Sequence, residues 1–199
     1  MDKINLKYLV SIFLCIVVFL GLGFVLLRNQ ETQKESNTSS SYLDSMVGKP
    51  LPNVQLTDAD GKVYTTDSFK SKNTVLFFSE GIMCYPACWD EIAALAADPR
   101  LNNDDTAVYS VVADSPKQWV TAREQMPSLA KAMLLFDQNT AVVKQLGISN
   151  LPSSMHAGST PGHTYIVLDK QGVVRYVFDD PRMANNVEQI VSEIIKFSN

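Results

Sequence analysis

From Tyr8 to Leu27 the chain is almost unbroken in apolar character, with Ser11 its main polar residue. A run of this length suffices for a helix that crosses a bilayer. Lys3 and Lys7 precede it and Arg28 follows. Positive charge ahead of the run predicts a cytoplasmic N-terminus and an extracytoplasmic remainder. A cleaved signal peptide is the alternative. No small-x-small site follows the run, because Gly21 and Gly23 lie inside it, and the bulky neighbours of Cys15 do not suit a lipoprotein cysteine. The expectation is therefore an uncleaved single-pass anchor over residues 1–28. Residues 29–41 are polar, rich in Ser, Thr, Gln and charge, without periodicity. They predict a flexible stalk over residues 29–43.

From Asp44 to the end the pattern changes to short apolar runs separated by turn residues, as in a folded domain over residues 44–199. Strand-like pieces at Val54–Leu56 and Lys62–Tyr64 flank an Asp60-Gly61 turn. Asp67 or Ser68 is placed to cap a short helical turn. Val75–Phe78 and Ala107–Ala113 show no alternation, which predicts strands covered on both faces. Between them Trp89, Ile92, Ala93 and Ala96 share one helical face, with Pro86 suited to the first turn and Asp98-Pro99 to the stop. Ser115-Pro116 opens a helix that runs to about Gln125. Met133–Phe136 predicts a third short strand, and Thr140–Leu146 a helix stopped by Gly147. Tyr165–Leu168 and Val173–Phe178 form a hairpin around Asp169–Gly172, and an amphipathic helix spans Ala184–Phe197. The order, βαβ first and hairpin plus helix last, predicts an α/β domain with a mixed sheet and helices on both faces.

Composition narrows the function. The net charge is −4 with acids and bases interspersed, so no basic stripe suggests nucleic acid. The chain has three cysteines. With Cys15 in the apolar run, only Cys84 and Cys88 are left as a pair in the domain, too few for a disulfide scaffold. A redox or metal use suits them better than stapling.

Those two cysteines stand in VLFFSEGIMCYPACWDEI, which reads as buried strand, tight loop and helix start. A helix N-terminus offers unpaired N–H groups and the positive end of the dipole. A thiolate is stabilised there and becomes a nucleophile or a metal ligand. The plainer reading is a pair of buried thiols or an inert disulfide. Glu80 reads as a solvated loop charge, with proton transfer beside the thiols as its functional alternative. Met155 and His156 read as surface residues of a Ser- and Gly-rich loop, and Trp89 as core.

The element order with paired cysteines after the first buried strand resembles the thioredoxin superfamily, over about Val47–Ile195. The nearest branch is the alkyl hydroperoxide reductase/thiol-specific antioxidant group and its membrane-anchored, redoxin-like relatives. VGKPLPNVQLTDADGKVYTTDSF resembles that group's opening segment and GHTYIVLDKQGVVRYVF its late hairpin. The resemblance implies a thioredoxin-like fold and an oxidoreductase that acts on protein thiols and disulfides or on hydroperoxides, without a cofactor. Its site would be Cys84, Cys88 and His163. Cys84 would attack, Cys88 would resolve the product to a disulfide, and His163 would stabilise the thiolate or pass the proton. The chain departs from each branch. Thioredoxin-like reductases use Cys-x-x-Cys and a cis-proline before the hairpin strand; here the spacing is Cys-x-x-x-Cys, His163 holds that place, and Pro161 lies two residues earlier. Peroxiredoxins carry Thr or Ser where Gly81 stands and Arg where His163 stands. Sco-type copper proteins do use Cys-x-x-x-Cys with a late histidine, so the alternative is a copper-binding protein with Cys84, Cys88 and His163 as ligands. A catalytically inert binding domain is the third reading.

Overall fold

The computed structural model describes residues 6–198, and in the first helix it leaves undescribed the side chains of residues 6–12, 14, 26 and 29–38. The chain divides into two units, one ending at Thr38 and the other spanning Ser39–Asn199. Helix α1 covers Leu6–Asp44, with its residues up to Thr38 in the first unit and Ser39–Asp44 in the second. The helix runs through residues 29–43, where the sequence predicts a flexible stalk. No glycine or proline interrupts residues 29–43, and Gln, Glu and Lys are favourable helix residues even without an apolar stripe. Cys15 is a free, exposed thiol. Among the described residues no helix is long and apolar enough to cross a membrane. The anchor expected over Tyr8–Leu27 falls partly on side chains outside the described residues and is not shown.

The second unit is built on a seven-stranded sheet in the order β2-β1-β5-β4-β3-β6-β7. Its strands are β1 Gln55–Thr57, β2 Val63–Thr65, β3 Asn73–Phe78, β4 Thr106–Val112, β5 Leu134–Phe136, β6 Thr164–Leu168 and β7 Val174–Asp179. The β3–β4 and β4–β5 pairs are parallel. Strands β6 and β7 pair antiparallel, and β6 lies antiparallel on the other edge of β3. Every residue of β3 is buried, as its unbroken apolar run predicts. Pleating sends alternate side chains to opposite faces. Val75 and Phe77 join a core with Trp89, Ile92, Trp119 and Ile190. Leu76 and Phe78 join another with Phe69, Val142, Leu146 and Leu43. Each large apolar side chain buried in this way contributes about 1.5–3 kcal/mol.

Helices α2 Ala87–Ala97, α3 Pro116–Gln125, α4 Ala141–Gln145 and α5 Val187–Ile195 complete the fold. The start of α3 is set by Ser115, whose N–H donates to Gln118 Oε1 at 2.9 Å, an arrangement that satisfies groups otherwise orphaned at a helix start. Gly147, with φ +64°, follows α4, a conformation glycine adopts without penalty. Two details differ from expectation. The turn Thr66–Phe69 is capped by Thr65, whose N–H donates to Ser68 Oγ at 3.0 Å, rather than by Asp67 or Ser68. Pro86 immediately precedes α2 instead of lying inside its first turn.

Candidate active site

Strand β3 ends at Phe78 and hands the chain to a short 3-10 turn, Gly81–Cys84, before α2 begins at Ala87. The Tyr85–Pro86 peptide between them is cis. The two cysteines are therefore not equivalent. Cys88 lies in the first turn of α2, whereas Cys84 belongs to the preceding turn. This corrects the expectation that both thiols sit at the helix start, and it gives Cys88 the larger share of the helix dipole. The pair forms a disulfide, with Sγ–Sγ 2.07 Å and Cα–Cα 5.3 Å. Both are buried, Cys84 at 3% and Cys88 at 0% exposure, yet Cys84 is flanked by the exposed Met83 and Tyr85.

Gly81 shapes this turn. Its φ is +69°, and a β-carbon there would stand 1.8 Å from Asp114 Oδ2. The Asp114 carboxylate fills that space because it accepts from Ile82 N at 2.9 Å and from Trp119 Nε1 at 3.2 Å. Burial pushes the Asp114 carboxyl above its usual range, against those two hydrogen bonds.

His163 lies just before β6 and is fully buried. Its ring meets Phe77 edge to face, with centroids 5.0 Å apart. One ligand-capable atom from each of Cys84, Cys88 and His163 lies within 4.8 Å of the others. The structure thus brings together the three site residues expected from the sequence. Neither ring nitrogen has a hydrogen-bond partner in the protein. Most buried polar groups do have one. Among the described residues, Trp89 Nε1, Arg123 Nε and Thr160 Oγ1 share that condition, one atom each. Burial lowers the His163 pKa to about 4, against a smaller upward pull from Asp180. The ring is therefore neutral near pH 7 and lends no positive charge to the sulfurs.

A fourth group completes the site and was not foreseen. Met183 Sδ lies 3.9 Å from Cys84 Sγ. A disulfide sulfur carries no hydrogen, so this is a packing contact. Met183 sits in the β7–α5 loop with φ +51°. The loop is tied down by Asp180, whose carboxylate accepts from Arg182 N at 3.1 Å, Ala184 N at 3.1 Å and Asn186 Nδ2 at 2.9 Å. Burial raises the Asp180 pKa, but hydrogen bonds from Asn186, Arg182 and Ala184 outweigh it and bring it to about 2. Nothing in the local sequence marks Met183, since its partner is 99 residues away.

Two buried carboxylates frame the pair. Glu80 is 4% exposed and accepts from Met155 N at 2.6 Å and His156 N at 3.0 Å, while His156 Nδ1 stands 3.1 Å from its second oxygen. It is a clamp on the Ser149–Thr160 loop, which corrects its reading as a solvated charge. Met155 is exposed as expected, and so is about half of the His156 side chain. One helical turn after Cys88, Glu91 accepts from Tyr165 Oη at 2.8 Å and Asn186 N at 3.2 Å. Burial raises its pKa to about 6, against those hydrogen bonds, and burial likewise raises that of Tyr165.

A mixed sheet with helices on both faces, and a thiol pair at the junction of central strand β3 with α2, define a thioredoxin-like α/β fold. Solved structures agree. PrxQ from Xylella fastidiosa aligns with TM-score 0.64 at 13% identity, over 77% of this chain and 97% of that one. A peroxiredoxin-like protein from Aquifex aeolicus aligns with TM-score 0.62 at 17% identity, over 75% and 86%. The chain belongs to the Redoxin family, whose model matches residues 46–193. Among curated relatives, chloroplastic peroxiredoxin Q of Triticum aestivum is 29% identical over 144 residues, 67% of this chain and 58% of that protein. The Populus jackii peroxiredoxin Q is 26% identical over 170 residues, 81% of this chain and 74% of that protein. The chain thus spans less than two thirds of the length of the wheat relative.

Proposed function

We propose that this chain is a thiol-dependent peroxidase that cycles through the Cys84–Cys88 disulfide. The observation that carries the reading is the formed disulfide with neutral, buried His163 beside both sulfurs; the peroxiredoxin relatives support it. In the reduced protein the Cys84 thiol loses its proton to solvent beside the neutral His163 ring, and the thiolate attacks the terminal peroxide oxygen. The O–O bond breaks, a proton from solvent reaches the leaving oxygen as alcohol, and Cys84 becomes a sulfenic acid. Cys88 then attacks the Cys84 sulfur. The hydroxyl leaves as water with the Cys88 proton, and the disulfide closes. Two electrons from an external dithiol reopen it. Cys84 is assigned the attack because exposed Met83 and Tyr85 flank it, while Cys88 is wholly enclosed. Gly81 and His163 occupy the places of the peroxide-polarising Thr and Arg of the resembled branch. That substitution favours a second reading, thiol–disulfide exchange with a protein substrate, by the same Cys84 attack.

The extracytoplasmic, membrane-tethered placement rests on the sequence alone: the apolar run Tyr8–Leu27 behind Lys3 and Lys7. Protease added to intact cells should digest the domain, and full protection would reverse the orientation.

The function is tested by following hydroperoxide loss with a dithiol donor. Wild type should turn over repeatedly. Cys84→Ser should fall to background, and Cys88→Ser should consume one equivalent and stop. Unchanged turnover in both variants would remove the peroxidase reading. Cys84-dependent reduction of a model disulfide, with peroxide untouched, would establish the exchange reading instead.

A further inference from the structure

Strand β7 is one edge of the sheet, and its pairing with β6 uses only alternate backbone groups. Asp180 N donates to His163 O at 2.9 Å, which sets the phase of the ladder. The opposed pairs Tyr165–Phe178 and Val167–Tyr176 therefore exchange hydrogen bonds, and the N–H and C=O groups of Val177 and Asp179 point away from β6. Among the described residues none is hydrogen-bonded to these four backbone groups. An unpaired row of this kind is a template for an added strand.

A cavity of about 260 Å³ lies along this edge, lined by Leu43, Asp44, Pro152, Val177, Phe178 and Pro181, with Ser40 and Asp179. Small-molecule pockets span about 300–1,000 Å³, so this one suits a single long side chain. Its walls are apolar apart from Ser40, Asp44 and Asp179. Asp44 is exposed, and the whole chain carries a net charge of −4. Lysine and arginine combine an apolar stem with a charged head, which matches apolar walls beside a carboxylate. We infer that β7 and this cavity form a docking groove for an extended segment of a partner protein. The segment pairs with Val177 and Asp179 as an added strand and seats a lysine or arginine side chain against Asp44. A second copy of β7 fits less well. Antiparallel pairing about Val177 would set Arg175 opposite Asp179, yet Arg175 Nε already donates to Asp169 Oδ2 at 2.6 Å, and Asp179 is engaged by Ser153 and Thr164. Asp179 directly precedes Asp180, whose carboxylate anchors the loop that sets Met183 against Cys84. A docked partner is thus held beside that loop.

The test uses the full chain in its disulfide form. The probe is a fluorescein-labelled peptide of alternating threonine and valine with one central lysine. Anisotropy reads the affinity, and amide hydrogen exchange reads the place. Wild type should bind the peptide, and the amides of Val177 and Asp179 should become protected. Asp44→Lys, an exposed position remote in sequence from the cysteines, should fold normally and bind about fivefold more weakly, the size of an exposed charge pair. A peptide with glutamate in place of the lysine should show a similar loss on wild type. No binding, equal binding of the lysine and glutamate peptides, or protection that bypasses Val177 and Asp179 would overturn the inference. Protection of the same two amides in the peptide-free chain as its concentration rises would overturn it too, and would assign the edge to a second copy. The assay contains no peroxide, so its result bears on the groove alone.

Discussion

Glu91 and His163 are both buried ionisable groups near the cysteine pair, and their surroundings are opposite. Glu91 receives hydrogen bonds from Tyr165 and Asn186, and Asn186 in turn reaches Asp180 and Tyr165. His163 receives none. The first region looks like ordinary stability chemistry, in which a buried polar group is tolerated because its partners are in place. The second leaves a costly group unsatisfied beside two sulfurs. A buried donor or acceptor without a partner costs about 1–3 kcal/mol, so the lone histidine is the better marker of function although its pKa is the more ordinary kind of shift for burial.

That contrast is broken most strongly at Glu91. Glu91→Ala should destabilise the domain by about 3 kcal/mol, because Tyr165 Oη and Asn186 N lose their acceptor inside the core. Urea denaturation checks this; a loss below the error of the measurement would mean the network carries no stability. The pH dependence is the next effect. The Glu91 pKa is raised in the fold, from 4.5 to about 6, so the folded state holds its proton more tightly than the unfolded one. Its favourable contribution is full below pH 4.5 and fades as pH rises through about 6, a change of about 2 kcal/mol. Glu91→Gln should flatten that part of the stability curve relative to wild type. Parallel curves would show that the carboxyl does not titrate in this window.

His163 should respond in the other direction. His163→Leu replaces an unsatisfied polar ring with an apolar side chain and should raise stability by about 1 kcal/mol, less than the loss at Glu91 because the edge-to-face contact with Phe77 is sacrificed. Peroxide turnover should fall in the same variant. A variant that loses both stability and activity would place His163 with Glu91, as a structural group.

The strands and most helices of the domain could be read from the sequence because their signals are local. The unbroken apolar run of β3, the Ser115-Pro116 opening of α3 and the Gly172 turn between β6 and β7 each need only neighbouring residues. The triad Cys84, Cys88 and His163 was reachable through the resemblance. Glu80 was not, since the N–H groups it binds are those of Met155 and His156, far along the chain. Met183 was hidden for the same reason. The helix through residues 29–43 has favourable residue types but no apolar periodicity, so its pattern does not mark it as a helix.

The Gly81–Asp114 contact constrains how this site can change over generations. A threonine at position 81 would collide with the Asp114 carboxylate and would be forced into a backbone conformation with φ near +69° that suits glycine. Removing the carboxylate first would strand Ile82 N and Trp119 Nε1 in the interior. Either single step passes through a weakened protein, so the two positions can be exchanged only together. Replacing Gly81 and Asp114 together is therefore the shortest route between a glycine and a threonine form of this turn.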